Sequence, residues 1–380
     1  MKGNWLGLLF ISSLALADSG NTIQTIMNDH LKQYGAMEHF SAIQVSVMKE
    51  NTIQHYASGK RSLDTDSPAL SSEDLFEIGS ITKSFTAALA VMAERDEKLS
   101  LKDTLGQYLK QYPDWSNLTL NGLLDMSTGI PNYSNSPTMN YQFSQNLRYS
   151  WSHENLIALA YPKTGNPPRL SGYFYSNTGY VLMAMILSKQ YQKPFSQLIR
   201  DHIFIPLKLQ HMFYPVPEYP ADVMKQKVRG YSWNIYDNPE LLGRDVTDTN
   251  LSWAGAAGAI VANSSDVLSW VNHLFIEDKL LSKSEKKTMQ SMISITTGKP
   301  VSQTDKNNPK AFGLGISQGY DEHIGRYWFY EGKTLGYRAI YMCKPEEKLI
   351  IVALFNSATH EENDHAGELI QKLYPLIQRL

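Results

Sequence analysis

Among the 380 residues there is one cysteine, Cys343, so no disulfide can close within the chain and no thiolate cluster can hold a metal. Its neighbours Tyr341 and Met342 suggest a strand, where a thiol packs as a small hydrophobe. Charge of one sign is also missing. Thirty-five basic residues stand against 37 acidic ones, for a formal net charge of −2, and no basic block points to nucleic acid. The 10 histidines show no H-E-x-x-H or comparable ligand spacing, so neither a metal nor another cofactor is expected. Beyond the N-terminus no apolar run is long enough to cross a membrane. What remains is an ordinary globular composition, 42% hydrophobic and 19% charged, with length for two domains or one large two-lobed one.

Residues Met1 to Ala17 read as an export signal. Lys2 supplies the positive start, Trp5 to Ile11 and Leu14 to Leu16 the apolar run, and Ala15-Leu16-Ala17 a small-x-small cleavage site. The run is short for a bilayer span. The expectation is an exported protein, periplasmic or secreted, whose mature chain starts at Asp18.

A helix is expected over Thr22 to Tyr34, then strands over Ala42 to Met48 and Thr52 to Ala57 with a turn at Glu50-Asn51. From Leu99 to about Tyr231 helical patterns dominate, interrupted by a helix stop at Ser127 to Tyr133 and by loops in Pro137 to Pro168 around a helix at Glu154 to Ala160. Apolar helices follow at Tyr180 to Gln190 and Phe195 to Ile203. Strand texture returns after Gly255, with Asp266 as the expected cap of a helix over Val267 to Phe275. Phe312 to Ser317, Tyr327 to Tyr330, Tyr337 to Cys343 and Leu349 to Phe355 read as strands. Leu369 to Leu380 reads as a last helix that Pro375 would kink or shorten. Strands at both ends with helices between imply an α/β (α+β) fold. One antiparallel sheet is built from about 18–98 and 251–380, and a helical lobe, about 99–250, is inserted between.

The chemistry centres on Glu77-Ile78-Gly79-Ser80-Ile81-Thr82-Lys83. Polar residues nearly vanish from Phe85 to Ala93, so the helix begun here has no wet face and is expected to be buried. A buried ammonium is costly unless paired or shifted toward neutrality, so Lys83 can take a proton from Ser80 one turn away and make it a nucleophile. The N–H of Ser80 could then hold an oxyanion. The spacing alone is weak. Ser46/Lys49 repeats it on a strand, where the two side chains face opposite ways, and Ser284/Lys287 repeats it on a charge-rich helix.

Tyr175-Ser176-Asn177 is the second element. A phenol beside an ammonium is pushed toward phenolate and can act as base, while the Asn177 carboxamide can both donate to and accept from a substrate amide. Tyr133-Ser134-Asn135 and Tyr236-Asp237-Asn238 share the spacing. Tyr133 reads as a loop aromatic packed over a helix end, and Tyr236 as a surface loop residue.

These motifs, in this order, resemble the serine β-lactamase and penicillin-binding protein superfamily, in the branch of class C β-lactamases and D-alanyl-D-alanine carboxypeptidases, which also holds esterases and D-aminopeptidases. The resemblance covers roughly Ala42 to Ala358. Phe76 to Lys83 matches the nucleophile box, Leu123 to Pro131 resembles the LLxHTSGLP segment, Tyr175 to Tyr180 matches the Y-x-N box, and Gly255 to Gly258 resembles GAGG. It implies the β-lactamase/transpeptidase-like fold. It also implies a covalent acyl-enzyme on Ser80, with Lys83 and Tyr175 moving the proton and Asn177 orienting the substrate.

The family's third box, K-T-G or H-x-G, falls in Tyr330 to Tyr337. One register puts Tyr330 where Lys or His is usual and keeps the glycine as Gly332, where it lets a substrate backbone lie close; the N–H of Lys333 then completes the oxyanion hole. The other uses Lys333-Thr334 and replaces the glycine with Leu335. Tyr330 carries no positive charge, and Lys333 or Arg338 are the cations that could replace it. The implied function is a serine hydrolase acting on cell-wall peptides or β-lactams. The alternatives are an esterase or D-amino-acid amidase, and, outside enzymes, a silent binding or regulatory homologue. The partner expected is a small-molecule or peptide substrate, not nucleic acid.

Overall fold

The computed structural model describes residues 6–161, 172–235 and 238–379. Alternating and continuous apolar runs build a nine-stranded sheet. Its strands are β1 (Ala42–Lys49), β2 (Thr52–Gly59), β3 (Met292–Ser294), β4 (Pro300–Val301), β5 (Lys310–Phe312), β6 (Ser317–Asp321), β7 (Gly325–Lys333), β8 (Arg338–Lys344) and β9 (Leu349–Phe355). They lie in the order β2-β1-β9-β8-β7-β6-β5-β3-β4, every neighbouring pair antiparallel. The first strand meets the last: Ile43 lies opposite Phe355 and Lys49 opposite Leu349. The N- and C-terminal segments therefore share one sheet, as expected.

Five longer helices flank it: α1 (Leu6–Tyr34), α2 (Thr82–Arg95), α3 (Thr178–Tyr191), α4 (Ser264–Phe275) and α5 (Ala366–Gln378). β9 shows why the sheet is covered on both faces. Leu349, Ile351, Ala353 and Phe355 pack with Ile23 and Met27 of α1 and Leu369 and Leu373 of α5. Ile350, Val352 and Leu354 face the other way, into the core shared with α2, α3 and α4. On that side Phe85 of α2 stacks on Trp270 of α4 at 3.9 Å, and the Trp270 indole N–H donates to Ser84 Oγ at 2.8 Å. Every residue of α2 from Thr82 to Ala93 is buried, so the helix with no polar face is a core helix.

Several sequence expectations change in detail. The export-signal segment continues helically from Leu6 into α1. Asn263, not Asp266, caps α4: its side chain accepts from Asp266 N–H, while the Asp266 carboxylate accepts from His211 N–H. Phe312 to Ser317 is not one strand. It turns between β5 and β6 through Gly315, whose φ is +69° and where an added Cβ would stand 2.5 Å from the Lys83 carbonyl oxygen, so a side chain is excluded. The stretch after Pro137 holds a further helix, Pro137–Gln145, and α5 runs through Pro375 to Gln378. Tyr236, and the loop expectation over 162–168, fall outside the described residues.

Candidate active site

A three-stranded ribbon sets the entry to Ser80. Phe76–Glu77 pairs with Val261–Ala262, which pairs with Met212–Phe213, and the Ile78 N–H continues the ladder to the Ile260 carbonyl at 3.0 Å. Gly79 then turns with φ +51°, a conformation that favours glycine, and Ser80 sits in a short turn of 3-10 helix leading into α2. Lys83 follows one turn later with its side chain fully buried.

Lys83 Nζ donates to Ser80 Oγ at 2.9 Å and to the Ala257 carbonyl at 2.8 Å. Ser80 Oγ shares a second hydrogen bond, of 2.6 Å, with the Tyr175 hydroxyl. The ammonium also lies over the Tyr175 ring, 4.9 Å from its centre. Burial pulls the Lys83 pKa down from the ordinary lysine range, and the nearby Tyr175 only partly opposes this. Of the expected site residues, Ser80, Lys83 and Tyr175 thus meet directly.

The 175–178 segment is strapped to the loop before it. Ser176 Oγ and Thr178 Oγ1 both donate to the Pro131 carbonyl, at 3.2 and 2.7 Å, and the Asn177 N–H donates to Asn132 Oδ1 at 3.0 Å. The Asn177 side-chain amide donates to Ser134 Oγ at 3.0 Å, which leaves its Oδ1 as a buried acceptor with no partner among the described residues. The Tyr133-Ser134-Asn135 segment is therefore a wall of the site. Tyr133 does not simply pack over a helix end. It is wholly buried and donates to the Trp253 carbonyl at 2.8 Å.

The third stretch lies where β7 passes the Ser80 turn. A Cβ added to Gly332 would stand 1.9 Å from the Ile78 carbonyl oxygen and 3.0 Å from Ser80 N, and one added to Gly79 would stand 2.6 Å from Lys333 N. It is Gly332, not Leu335, that lies against the Ile78–Ser80 turn. The glycine is required by the enzyme's own backbone rather than by a substrate's. The close approach brings the backbone nitrogens of Ser80 and Lys333 to the same crossing of β7 with the Ser80 turn.

Neither suggested cation replaces the missing one. Lys333 Nζ pairs with Asp364 at 2.8 Å; Arg338 is buried and pairs with Glu38 at 2.6 Å and Asp364 at 2.8 Å. Tyr330 stands on the site face of β7, only 6% exposed, and its hydroxyl has no hydrogen-bond partner among the described residues. Burial, reinforced by the phenols of Tyr175, Tyr180 and Tyr173, pushes its pKa well above the ordinary tyrosine range.

Three supporting roles escaped the sequence reading. The Ala257 carbonyl and Gly315 act through the backbone, which a residue pattern does not report. The third, Lys227, pairs with Glu77 at 2.5 Å beneath the ribbon and is separated from it by 150 residues.

Comparison with known proteins agrees with this geometry. Residues 27–374 match the Beta-lactamase family. A penicillin-binding protein of Bacillus subtilis is 21% identical over 87% of this chain and 71% of its own length. A β-lactamase of Providencia stuartii is 25% identical over 92% of this chain and 90% of its own. The crystal structure of D-amino acid amidase from Ochrobactrum anthropi SV3 superposes with a TM-score of 0.78 at 21% identity, covering 96% of this chain and 100% of that one. With a family match across most of its length and that family's fold, the chain belongs to the Beta-lactamase family of serine hydrolases.

Proposed function

We propose that the protein hydrolyses amide or ester bonds through an acyl-enzyme on Ser80. The observation that carries this is a fully buried lysine which makes no ion pair among the described residues and directs its hydrogen bonds to a serine hydroxyl and a backbone carbonyl. Such a lysine is a base in waiting: the low-dielectric site penalises its charge, so the neutral amine is within reach. Ser80 Oγ attacks the acyl carbon and its proton passes to the Lys83–Tyr175 pair. The N–H groups of Ser80 and Lys333 hold the oxyanion. The pair returns the proton to the departing nitrogen or oxygen as the old acyl bond breaks. Water, deprotonated by the same pair, then cleaves the Ser80 ester, and the serine recovers its proton. Asn177 Oδ1, the unpaired acceptor, takes an N–H of the substrate's acyl side.

Two substrate readings share this mechanism. The relatives named β-lactamase and penicillin-binding protein support β-lactams and cell-wall peptides. The neighbour named D-amino acid amidase supports D-amino-acid amides, and by the same chemistry esters, and the uncharged Tyr330 favours this second reading. Residues 1–17 are read as an export signal, and a mature chain starting at Asp18 by mass would support that placement, whereas an intact Met1 in exported protein would reject it.

Intact-mass spectrometry of the protein with a penicillin and with an uncharged fluorophosphonate, beside Ser80→Ala, tests the chemistry. The expected result is an adduct on the wild type alone and a loss of about four to six orders of magnitude in turnover of any ester or amide substrate. Undiminished turnover in Ser80→Ala would reject the assignment.

A further inference from the structure

Lys333 is the last residue of β7 and Arg338 the first of β8, and the register sets them directly opposite each other. Gly332 lies against the Ser80 turn, so the Lys333 side chain leaves by the other face of the sheet. Arg338 lies on that face too, over the Phe355 ring at 5.1 Å. Two cations facing each other across a strand pair repel. Asp364 bridges them: its Oδ2 meets Lys333 Nζ at 2.8 Å and its Oδ1 meets Arg338 Nη1 at 2.8 Å. The bridge is anchored on both sides. Arg338 also donates to Glu38 at 2.6 Å and to the Ser357 carbonyl at 3.0 Å, and Asp364 Oδ1 accepts from the Ala366 N–H at 3.1 Å, where α5 starts. The main chain of the same lysine meets the Ser80 turn. A Cβ added to Gly79 would stand 2.6 Å from Lys333 N and 2.7 Å from its carbonyl oxygen. The Thr334 N–H donates to the Tyr337 carbonyl at 3.1 Å across the hairpin, so the Lys333 N–H, one residue earlier, points away from β8.

We propose that Asp364 is a positioning residue: from the far face of the sheet it holds the end of the β7–β8 hairpin, and with it the Lys333 N–H, in place to receive the oxyanion. This rests on the acyl-transfer reading of Ser80. Asp364 touches no reacting atom and acts through Lys333, whose side chain it grips on one face while the main chain serves the other. Without the carboxylate, Lys333 and Arg338 face each other as like charges. Arg338 is held by Glu38 and Ser357, so it is Lys333 that yields. An oxyanion donor is worth its full value only when it already points at the developing charge, so a small shift of Lys333 N–H weakens the transition state more than the bound substrate.

Two measurements separate this role from stability alone. Single-turnover acylation by a neutral fluorogenic ester gives the rate at saturation and the half-saturation concentration. Phenylboronic acid reports on the oxyanion site: Ser80 Oγ adds to boron, its proton passes to the Lys83–Tyr175 pair, no bond to boron breaks, and the tetrahedral anion sets an oxygen where the oxyanion forms. Asp364→Asn is expected to lower the saturated rate and the boronate affinity by the same factor, about tenfold, which is less than the loss of a whole donor, with half-saturation within about twofold of wild type. Leu373→Ala loosens the packing of α5 on the same face without touching the bridge, and at a temperature where it is folded it is expected to keep wild-type values of both. Asp364→Glu keeps the charge one methylene further out and is expected to lose less, about threefold in both quantities; it serves in place of Asp364→Asn should that variant fail to fold. Asp364 variants that match Leu373→Ala in both readouts, or that lose acylation rate without boronate affinity, would overturn the proposal and leave the Ser80 chemistry standing. A wild type that binds no boronate, turns over no ester and takes no fluorophosphonate would overturn the acyl-transfer reading, and the proposal with it.

Discussion

Two buried lysines flank Ser80, and they are held in opposite ways. Lys83, three residues after Ser80, meets a hydroxyl, a carbonyl and a phenol ring and makes no ion pair among the described residues. Lys227 meets Glu77, three residues before Ser80, at 2.5 Å, together with the Tyr219 hydroxyl and the Thr247 carbonyl, each at 2.8 Å. Burial pulls both lysines down from their ordinary range; only at Lys227 does a carboxylate push back. On the mechanism proposed above, the difference separates a base from a clamp. Lys83 gives up charge readily and can carry a proton. At Lys227 the Glu77 carboxylate opposes the pull of burial, and the pair ties the ribbon before Ser80 to the 247 loop.

Exchanging each lysine for methionine should give opposite results. Lys83→Met is expected to lower acylation by about two to four orders of magnitude, the usual span for a proton-transfer group, while the melting temperature stays level or rises, because a buried amine with no counter-charge among the described residues leaves the core. Lys227→Met strands Glu77 as a buried anion, and a loss of about 3–5 kcal/mol in stability is expected. The surviving folded fraction should still be acylated at a rate closer to wild type than that of Lys83→Met. Single-turnover acylation by a fluorogenic ester, set beside urea denaturation, reads both quantities. A stability loss in Lys83→Met as large as that in Lys227→Met would erase the distinction. A sharper and smaller effect follows in Glu77→Gln/Lys227→Met. Removing both charges should recover most of the lost stability, leaving a deficit of about 1–2 kcal/mol from the Tyr219 and Thr247 groups that lose their partner. A double variant no better than Lys227→Met alone would show that shape, not charge, sets the cost.

The same contrast explains what could be read from the sequence. Ser80 and Lys83 were legible because an apolar helix makes a lone lysine conspicuous, and β1, β2 and β9 because their apolar residues run in strand-length blocks between turn signals. Lys227 was not legible, since nothing near it in sequence announces Glu77, and a pair joined across 150 residues leaves no local pattern. Gly315 and Ala257 failed for a different reason. Both serve Lys83 through the main chain, one by staying small and the other by its carbonyl, and any residue type can offer a carbonyl. Gly332 was recognised, but for a substrate's backbone. The fold fills that space with the Ile78–Ser80 turn. The Ser134 partner of Asn177 was set aside as a repeat of the motif, because spacing cannot tell a rival from a wall of the same site.

A third buried ion site extends the comparison from no counter-charge, through one, to two. Asp364 faces Lys333 at 2.8 Å and Arg338 at 2.8 Å, and its Oδ1 also accepts from the Ala366 N–H at the start of α5. Burial alone would raise its pKa, but Arg338 and Lys333 outweigh burial and bring it from 3.8 down to about 2. The folded pKa lies below the unfolded one. The carboxylate therefore contributes stability that is fully present above about pH 4 and is lost as pH falls through about 2, worth about 2–3 kcal/mol by linkage. Asp364→Asn should be less stable than wild type by roughly that amount at about pH 5, and the gap should close as the pH approaches 2, where wild type has lost the same charge. Urea midpoints measured across that range decide it. A gap that stayed constant with pH would mean that the two cations do not act on Asp364 through its charge, and the graded series would end with the single pair at Lys227.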